Sequence, residues 1–431
     1  MQRKAFIIFL LISILPVLVS GKDLVFEYPV SYSVNSNPVS IFSADFNNDS
    51  YDDIAVAVSS NSVSVAVFLN YGDGTFKSAE YYQTTYPTAI YAIDLDNDND
   101  NDLATANFGN DRMSILNNNG DGTFQDAIYY DAGDGVRAIS SADLNGDGAY
   151  DIVTTNGYSN DISVFINNGD GTFPPPVSYA VGEMPTDIAI ADYDGDNDKD
   201  LAVPSLESDD LIILVNNGNG IFQPWVNYNC DNNPLKIAAA DFDNDNDYDL
   251  AINHTLSNNI LIFMNNGDAT FAVPVSYEDY ELPYDVFPAD FDNDNDYDLA
   301  VPNMYTGDIS LLINDGNGVF EPPMNFDAGD APWEVFAKDY DNDGDIDMAA
   351  INYYENSLSV MMNFGFCGDL DGDGEIGLSD IMFLIDYLYN GGQSPESVRL
   401  GDVNVDAVNN IFDIVYLIRY LYMDGPEPVC M

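Results

Sequence analysis

Short apolar runs separated by acidic or glycine-rich stretches recur in groups of four along residues 26–365. In the unit around Asp192 they are Thr186 to Ala191, Leu201 to Val203, Leu211 to Val215 and Phe222 to Tyr228. The first run alternates, with Ile188 and Ile190 on one side and Ala189 and Ala191 on the other, which is the period of a strand and not of a helix. Between the third and fourth runs stands a hairpin turn, NNGDGTF ending at Phe124 and Phe173 and NNGNGIF ending at Phe222. Its Asn and Gly residues suit the positive-φ positions of tight turns. The whole unit repeats every 49 residues, marked by acidic loops that begin at Asp45, Asp94, Asp143, Asp192, Asp241, Asp290 and Asp339. Four strands repeated seven times predict an all-β fold, a seven-bladed β-propeller. Ala44, Ala142, Ala191, Ala240 and Ala289, next to the loops, are expected on the innermost strands, where blades crowd the axis. The fourth-strand signature, a Phe followed by an aromatic, begins at Phe26, Phe76, Phe124, Phe173, Phe222, Phe271 and Phe320. Its first copy precedes the first loop, and the last unit stops at Asn363 without one. An N-terminal strand from Phe26 to Tyr32 is therefore expected to complete the last blade, removing the open edges of the array.

After Phe366 the pattern changes. Two acidic loops, Asp369 to Asp380 and Asp402 to Asp413, each lead into apolar residues at helical spacing: Ile381, Leu384, Ile385 and Leu388, then Ile414, Leu417, Ile418 and Leu421. At the other end, Arg3 and Lys4, the apolar run Phe6 to Val19 and the small residues Ser20 and Gly21 predict a signal peptide, with an uncleaved anchor as the alternative. The expected organisation is residues 1–21 signal peptide, 22–365 propeller and 366–431 a small α-helical domain. Export would place the chain outside the cell, where Ca²⁺ is abundant and disulfides persist. Cys367 and Cys430 bracket the small domain, and a bridge between them would clamp it; Cys230 is left over as a buried thiol.

Composition then narrows the partners. With 73 Asp and Glu against 11 Lys and Arg, the net charge of -62 disfavours nucleic acid and anionic membranes and favours a cation. A halophile-like acidic surface would give similar totals, but the acids here are periodic. Each loop reads D-x-[DN]-x-D-x-x-x-D, and alternating hard oxygens on a short loop suit Ca²⁺. The candidate ligands are Asp45, Asn47, Asp49 and Asp53; Asp94, Asp96, Asp98 and Asp102; Asp143, Asn145, Asp147 and Asp151; and Asp192, Asp194, Asp196 and Asp200. The series continues with Asp241, Asp243, Asp245 and Asp249; Asp290, Asp292, Asp294 and Asp298; and Asp339, Asp341, Asp343 and Asp347. The simplest role for such ions is structural, since closed oxygen cages leave no position for substrate.

Seven such loops joined to N-G-D-G-T-F turns resemble the FG-GAP or VCBS repeat family, whose best-known members are the propeller heads of the integrin α adhesion receptors. The resemblance implies about seven Ca²⁺ ions, each in the loop joining a blade's first and second strands. On the loop at Asp192 it implies side-chain ligation by Asp192, Asp194, Asp196 and Asp200 with the Asp198 carbonyl added. Asn47 and Asn145 depart from the all-Asp pattern and imply weaker sites. The tail resembles a type I dockerin, a duplicated EF-hand-like loop and helix that docks onto cohesin. Its first loop offers Asp369, Asp371, Asp373 and Asp380, with Gly374 at the turn; its second offers Asp402, Asn404, Asp406 and Asp413, with Ala407 in place of that Gly and Asn409 in place of an aliphatic residue. Up to two further Ca²⁺ ions and a cohesin-type partner follow from the likeness, with Leu378, Ser379, Ile411 and Phe412 facing the cohesin.

Strands in a blade reverse at each turn, so metal loops and N-G-D-G turns are expected on one face, and the remaining, divergent connections on the other. Uniform loops suggest scaffold and divergent loops recognition. Phe108, Tyr158, Tyr305, Trp333, Tyr353 and Tyr354 are the expected contacts for a glycan or protein ligand. No catalytic residues are assigned: His254 is the sole histidine, and with so many acids no carboxylate pair stands out. Arg112, Arg137 and His254 are the few cationic candidates for a polysaccharide lyase. Three readings follow: a monomeric, secreted Ca²⁺-binding propeller that holds a ligand and docks to cohesin, a polysaccharide-degrading lyase or glycoside hydrolase component, or a spacer carrying a functional dockerin.

Overall fold

The computed structural model describes residues 24–60, 64–278, 280–372, 376–395, 398–405, 408–423, 425, 426 and 428. The expected signal peptide, Asp373, Gly374, Asp406, Ala407 and Cys430 lie outside them. Seven four-stranded antiparallel sheets follow one another along residues 30–361. Blade 1 is Pro38–Ala44, Asp53–Val58, Val65–Phe68 and Glu80–Tyr82; blades 2 and 3 occupy 87–131 and 136–180. Blade 4 is Ala189–Ala191, Asp200–Ser205, Asp210–Leu214 and Val226–Asn229, and blades 5 and 6 occupy 234–277 and 287–327. Blade 7 takes Pro332–Lys338, Asp347–Asn352 and Ser357–Met361 from the end of the repeat array and Val30–Ser33 from its start. Val30 pairs with Val360 and Ser33 with Ser357, so the ring closes by an N-terminal strand.

The expected closing strand is divided in two. Leu24–Phe26 pairs with Asn363–Phe366 in a separate two-stranded sheet, and the closing strand proper begins at Val30. Pro29 stands between them and has no N–H to continue a ladder. Blade 4 shows the same division, where Phe222 bridges Asn216 and the strand resumes at Val226 beyond Pro224.

The core lies between blades. Ile188 and Ile190 pack with Val153 and Val164 of blade 3, whereas Ala189 packs with Ile237 and Ile252 of blade 5, so strand alternation puts the two sets in different interfaces. The turn phenylalanines lock each blade to the one before it: Phe124 meets Phe46 and Tyr82 edge-on at 5.5 and 5.3 Å, and Phe320 meets Phe242 and Tyr277 at 5.6 and 5.4 Å. Edge-to-face pairs of this kind add to the gain from burial.

First strands of adjoining blades surround the axis. Residues 49 apart form a ring there: Ser40, Ala89, Ala138, Asp187, Lys236, Asp285 and Glu334. A central cavity of about 280 Å³ is lined by six of them and by Phe42, Tyr91, Phe287 and Phe336, two positions further along each strand. Those four aromatics touch in sequence at 4.5 to 4.8 Å. Four ring residues accept the amide of the next blade: Ser40 from Ile90 (3.3 Å), Asp187 from Ile237 (3.1 Å), Asp285 from Val335 (3.1 Å) and Glu334 from Ile41 (2.7 Å). The last bond crosses the closure from blade 7 to blade 1. Lys236 Nζ donates to Glu334 Oε1 at 2.6 Å. Burial pulls the ammonium down, but Asp187, Glu334 and Asp285 outweigh it and hold Lys236 raised, while burial pushes Asp285 up to about 7.

The chain after Phe366 belongs to a second compact unit. Its helices α1 (Leu378–Asn390), α2 (Val398–Gly401) and α3 (Ile411–Met423) include an α1–α3 pair packed together. Ile381, Leu384, Ile414 and Leu417 are buried. Ile385, expected on the inner face, is 38% exposed, and Leu388, Ile418 and Leu421 are half-buried. Two short helices have room between them for a narrower stripe than the sequence spacing offers. Cys367 is disulfide-bonded and Cys230 is free, its thiol pushed up by burial. No helix among the described residues is long and apolar enough to cross a membrane.

Candidate functional site

Each acidic loop connects a first strand to a second, and its ninth-position aspartate opens the second strand. Asp53, Asp102, Asp151, Asp200, Asp249, Asp298 and Asp347 are all buried. Both carboxylate oxygens of each are engaged by backbone amides. In blade 2, Asp102 Oδ2 accepts from Leu95 N at 3.1 Å and Oδ1 from Asn118 N at 2.8 Å. The same pair recurs at Asp53, Asp151, Asp200, Asp249, Asp298 and Asp347. The asparagine that provides one of those amides turns its side chain to the preceding blade. Asn118 Nδ2 donates to Phe46 O at 2.9 Å, and Asn70, Asn167, Asn216, Asn265, Asn314 and Asn363 repeat the bond onto Tyr340, Leu95, Leu144, Tyr193, Phe242 and Phe291. Seven loops are thereby tied into one ring, and Asn48 of blade 1 reaching Asp100 and Gly120 of blade 2 shows that loops and turns share a face.

The first aspartate of each loop folds the loop around itself. Asp45 accepts the amides of Asn47, Asp49 and Ser50, and Asp94 those of Asn97, Asp98 and Asn99. Carboxylates converge as a result: Asp94, Asp96 and Asp102; Asp192, Asp194 and Asp200; Asp241, Asp243 and Asp249; Asp290, Asp292 and Asp294; and Asp339, Asp341 and Asp347 each bring one oxygen within 4.8 Å of the others. Four of these carboxylates also have an oxygen buried without a hydrogen-bond partner, Oδ1 of Asp96, Asp243, Asp292 and Asp339. Like charges and orphaned acceptors in a dry pocket are unfavourable unless a cation joins them. The repeated triads thus fit Ca²⁺, which would supply neutralisation and cross-linking of the loop. Burial pushes Asp102 and Asp249 up to about 7 and Asp298 and Asp347 up to about 8. Loops 1 and 3 carry asparagine at the third position. Asn47 directs its amide nitrogen to Asp53 at 3.2 Å, and Asn145 Oδ1 accepts the Asp147 amide at 2.8 Å. Asp143 accepts the amides of Asn145, Gly146, Asp147 and Gly148, whereas Asp49, Asp147, Asp196, Asp245 and Asp343 are exposed.

In the C-terminal unit Asp380 opens α1 and accepts Leu370 N at 2.7 Å and Gly377 N at 2.6 Å, folding the first loop against the helix. Asp369 is buried and accepts the Gly372 amide. Asp413 takes the equivalent place on α3, accepting Asn410 N at 2.8 Å, while Asn404 turns its amide nitrogen toward the same carboxylate. Asp371 and Asp402 lie in these loops. Leu378, Ser379, Ile411 and Phe412 are exposed.

The opposite face of the propeller is irregular. Trp333 packs on Tyr284 at 3.9 Å and on Tyr353 at 4.6 Å, and Tyr353 meets Tyr354 edge-on at 5.4 Å. Phe108 meets Tyr158 at 5.3 Å. Trp333, expected to stack on a ligand, is thus already packed among neighbours, whereas Tyr158, Tyr305 and Tyr354 are 62, 76 and 62% exposed. Arg112 is bound to Asp131 at 2.7 Å, and His254 is buried in blade 5, its pKa pulled down to about 4 by burial. The three cationic candidates sit in different blades and form no common site. The axial charges Asp187, Lys236, Asp285 and Glu334 were not singled out from the sequence; their exact 49-residue spacing on the first strands was the available signal.

Comparison with known proteins agrees with this construction. The family described as FG-GAP-like repeat matches residues 45–105, 94–154, 143–203, 241–301 and 290–350, and the dockerin type I domain matches 367–422. No curated protein matches the chain. Among solved structures, similarity extends to BBS1N crystallised with ARL6DN (12% identity, 79% of this chain and 96% of that one, TM-score 0.58). It also extends to an Agrocybe aegerita lectin that recognises non-reducing terminal N-acetylglucosamine (22%, 68% and 80%, TM-score 0.50). A third is virginiamycin B lyase from Staphylococcus aureus (11%, 78% and 99%, TM-score 0.53). At these identities the likeness is one of fold. With the repeat matches spanning more than half its length, the chain belongs to the FG-GAP-like repeat family, as a seven-bladed propeller followed by a type I dockerin domain.

Proposed function

We propose that this is a secreted, Ca²⁺-stabilised propeller that binds a glycan on the face opposite its metal loops and is held on a cohesin-bearing partner by its dockerin. The observation that carries the reading is the division between the two faces. Seven near-identical loops, tied blade to blade, leave little variation with which to recognise a ligand, whereas the connections on the other side differ from blade to blade and carry exposed aromatic rings of their own. Tyr158, Tyr305 and Tyr354 offer exposed rings of the kind that stack on sugar faces. The Agrocybe aegerita lectin supports the reading to the extent that a propeller of this fold can hold a saccharide. Calcium ligation assigns the loop aspartates a structural task, and the dockerin assigns the chain a place beside other docked proteins.

The test is a glycan array probed with the full chain in Ca²⁺, alongside Tyr354→Ala and Tyr158→Ala. Retention by a defined set of glycans, weakened by either variant at unchanged melting temperature, is the expected result. A full chain that captures cohesin but retains no glycan would leave a docked spacer as the better description.

A further inference from the structure

Arg137 stands apart from the other charges of this face. It lies on the first strand of blade 3, at the ring position that Tyr284 occupies in blade 6 and Trp333 in blade 7. Its guanidinium carbon is 5.7 Å above the centre of the Phe108 ring. Tyr158, Tyr284 and Glu207 are within electrostatic reach. Room for the side chain comes from Gly157: a Cβ there would lie 2.5 Å from Arg137 Nε. Arg112, Lys236 and Lys338 pair with Asp131, Glu334 and Asp52. Among the described residues no carboxylate pairs with Arg137, and its Nε is buried without a hydrogen-bond partner. In a chain of net charge -62, acids are abundant, yet among the described residues this half-buried cation forms an ion pair with none, and Glu207 acts on it only at longer range.

A guanidinium set among aromatic rings and in no ion pair is a receptor for a planar anion that also presents apolar faces. Its fork matches a carboxylate, and its weak hydration lets it exchange water for that partner. Phosphate would meet the same fork but brings no face for Tyr158 or Tyr354. We infer that Arg137, with Phe108, Tyr158 and Tyr284, forms a subsite for the carboxylate of an acidic sugar. This inference rests on the glycan-binding reading and gives it a ligand class. The acidity of the remaining surface repels long polyanions, so the ligand is a short or terminal acidic segment. Screening that repulsion with moderate salt should leave the local contact in place, whereas binding by simple charge attraction would weaken.

The experiment measures binding of the full, Ca²⁺-loaded chain to oligogalacturonate, to the same oligomer with its carboxyl groups reduced to alcohols, and to neutral cello-oligosaccharides. The variants are Arg137→Gln and Arg137→Lys, with melting temperature as the control for folding. The expected result is preference for oligogalacturonate over its reduced form, with about a tenfold or greater loss in Arg137→Gln and partial recovery in Arg137→Lys. Oligogalacturonate binding that Arg137→Gln leaves unchanged would mean bridging by surface Ca²⁺ and would overturn the subsite. Equal binding of the reduced or neutral oligomers overturns the subsite while leaving glycan binding intact; retention of no saccharide overturns both. Should Arg137→Gln melt early, Gly157→Ala, which crowds the guanidinium, provides the second variant, with the same loss expected.

Discussion

The two faces of the propeller are built from one chain by opposite rules. On the metal face every blade repeats a buried aspartate accepting two amides and an asparagine reaching back to the preceding loop, and in blades 2, 4, 5, 6 and 7 carboxylates converge on one point. On the other face the blades diverge. Asn107, Asn156, Asn303 and Asn352 end their second strands where blade 1 has Val58, blade 4 Ser205 and blade 5 His254, and Arg137, Tyr284 and Trp333 occupy a position that is Val39, Thr88, Thr186 or Leu235 elsewhere. Repetition carries closure, because each interface needs the same bonds. Irregularity carries recognition, because a ligand needs one arrangement and not seven.

If the metal face holds the ring together, chelation should have the largest effect. With each of seven sites at about ten times its dissociation constant, bound Ca²⁺ contributes about 1.4 kcal/mol per site and on the order of 10 kcal/mol in total. Calorimetry in EDTA should show a markedly lower melting temperature; an unchanged transition would remove calcium from the account. The chelated protein should also respond to pH. Burial raises Asp53, Asp102 and Asp249 to about 7 and Asp298 and Asp347 to about 8, so the folded state binds more protons than the unfolded one above pH 4. Stability without Ca²⁺ should be fullest below that pH and fall as pH rises to about 8. Added Ca²⁺ takes the place of the protons, so its stabilisation should grow across the same window in thermal melts at fixed ionic strength.

Single substitutions sharpen the comparison. Lys236→Met leaves Asp187, Asp285 and Glu334 around the axis without their cation and should cost about 3–5 kcal/mol in denaturant unfolding. Asn118→Ala removes the bonds to Phe46 O and Asn101 O and should cost about 1–3 kcal/mol, with similar losses at Asn216 and Asn314 if the blades are equivalent. Tyr354→Ala, on the irregular face, should change stability by less than about 0.5 kcal/mol while weakening glycan retention. A Tyr354→Ala protein as unstable as Asn118→Ala would erase the distinction between the faces.

What the sequence determined by itself was everything that repeats locally. The 49-residue period counted seven blades and placed the acidic loops, and the strand signature displaced to Phe26 announced closure, although Pro29 moved the closing strand to Val30–Ser33. Local spacing sufficed because strand alternation, turn chemistry and loop carboxylates act within a few residues of one another. Tertiary structure decided what depends on residues that meet only when the ring closes. The ninth-position aspartates direct both oxygens to backbone amides, one within the loop and one sixteen or seventeen residues on, so they order the loop as well as fitting a cation. Asp187, Lys236, Asp285 and Glu334 come from four blades to share one axis. Trp333 is engaged by Tyr284 from another blade, Arg112 is paired and His254 is buried, whereas Arg137 forms no ion pair among the described residues. Sequence spacing places a residue on a strand, but its burial and charge environment depend on the neighbouring blades that surround it.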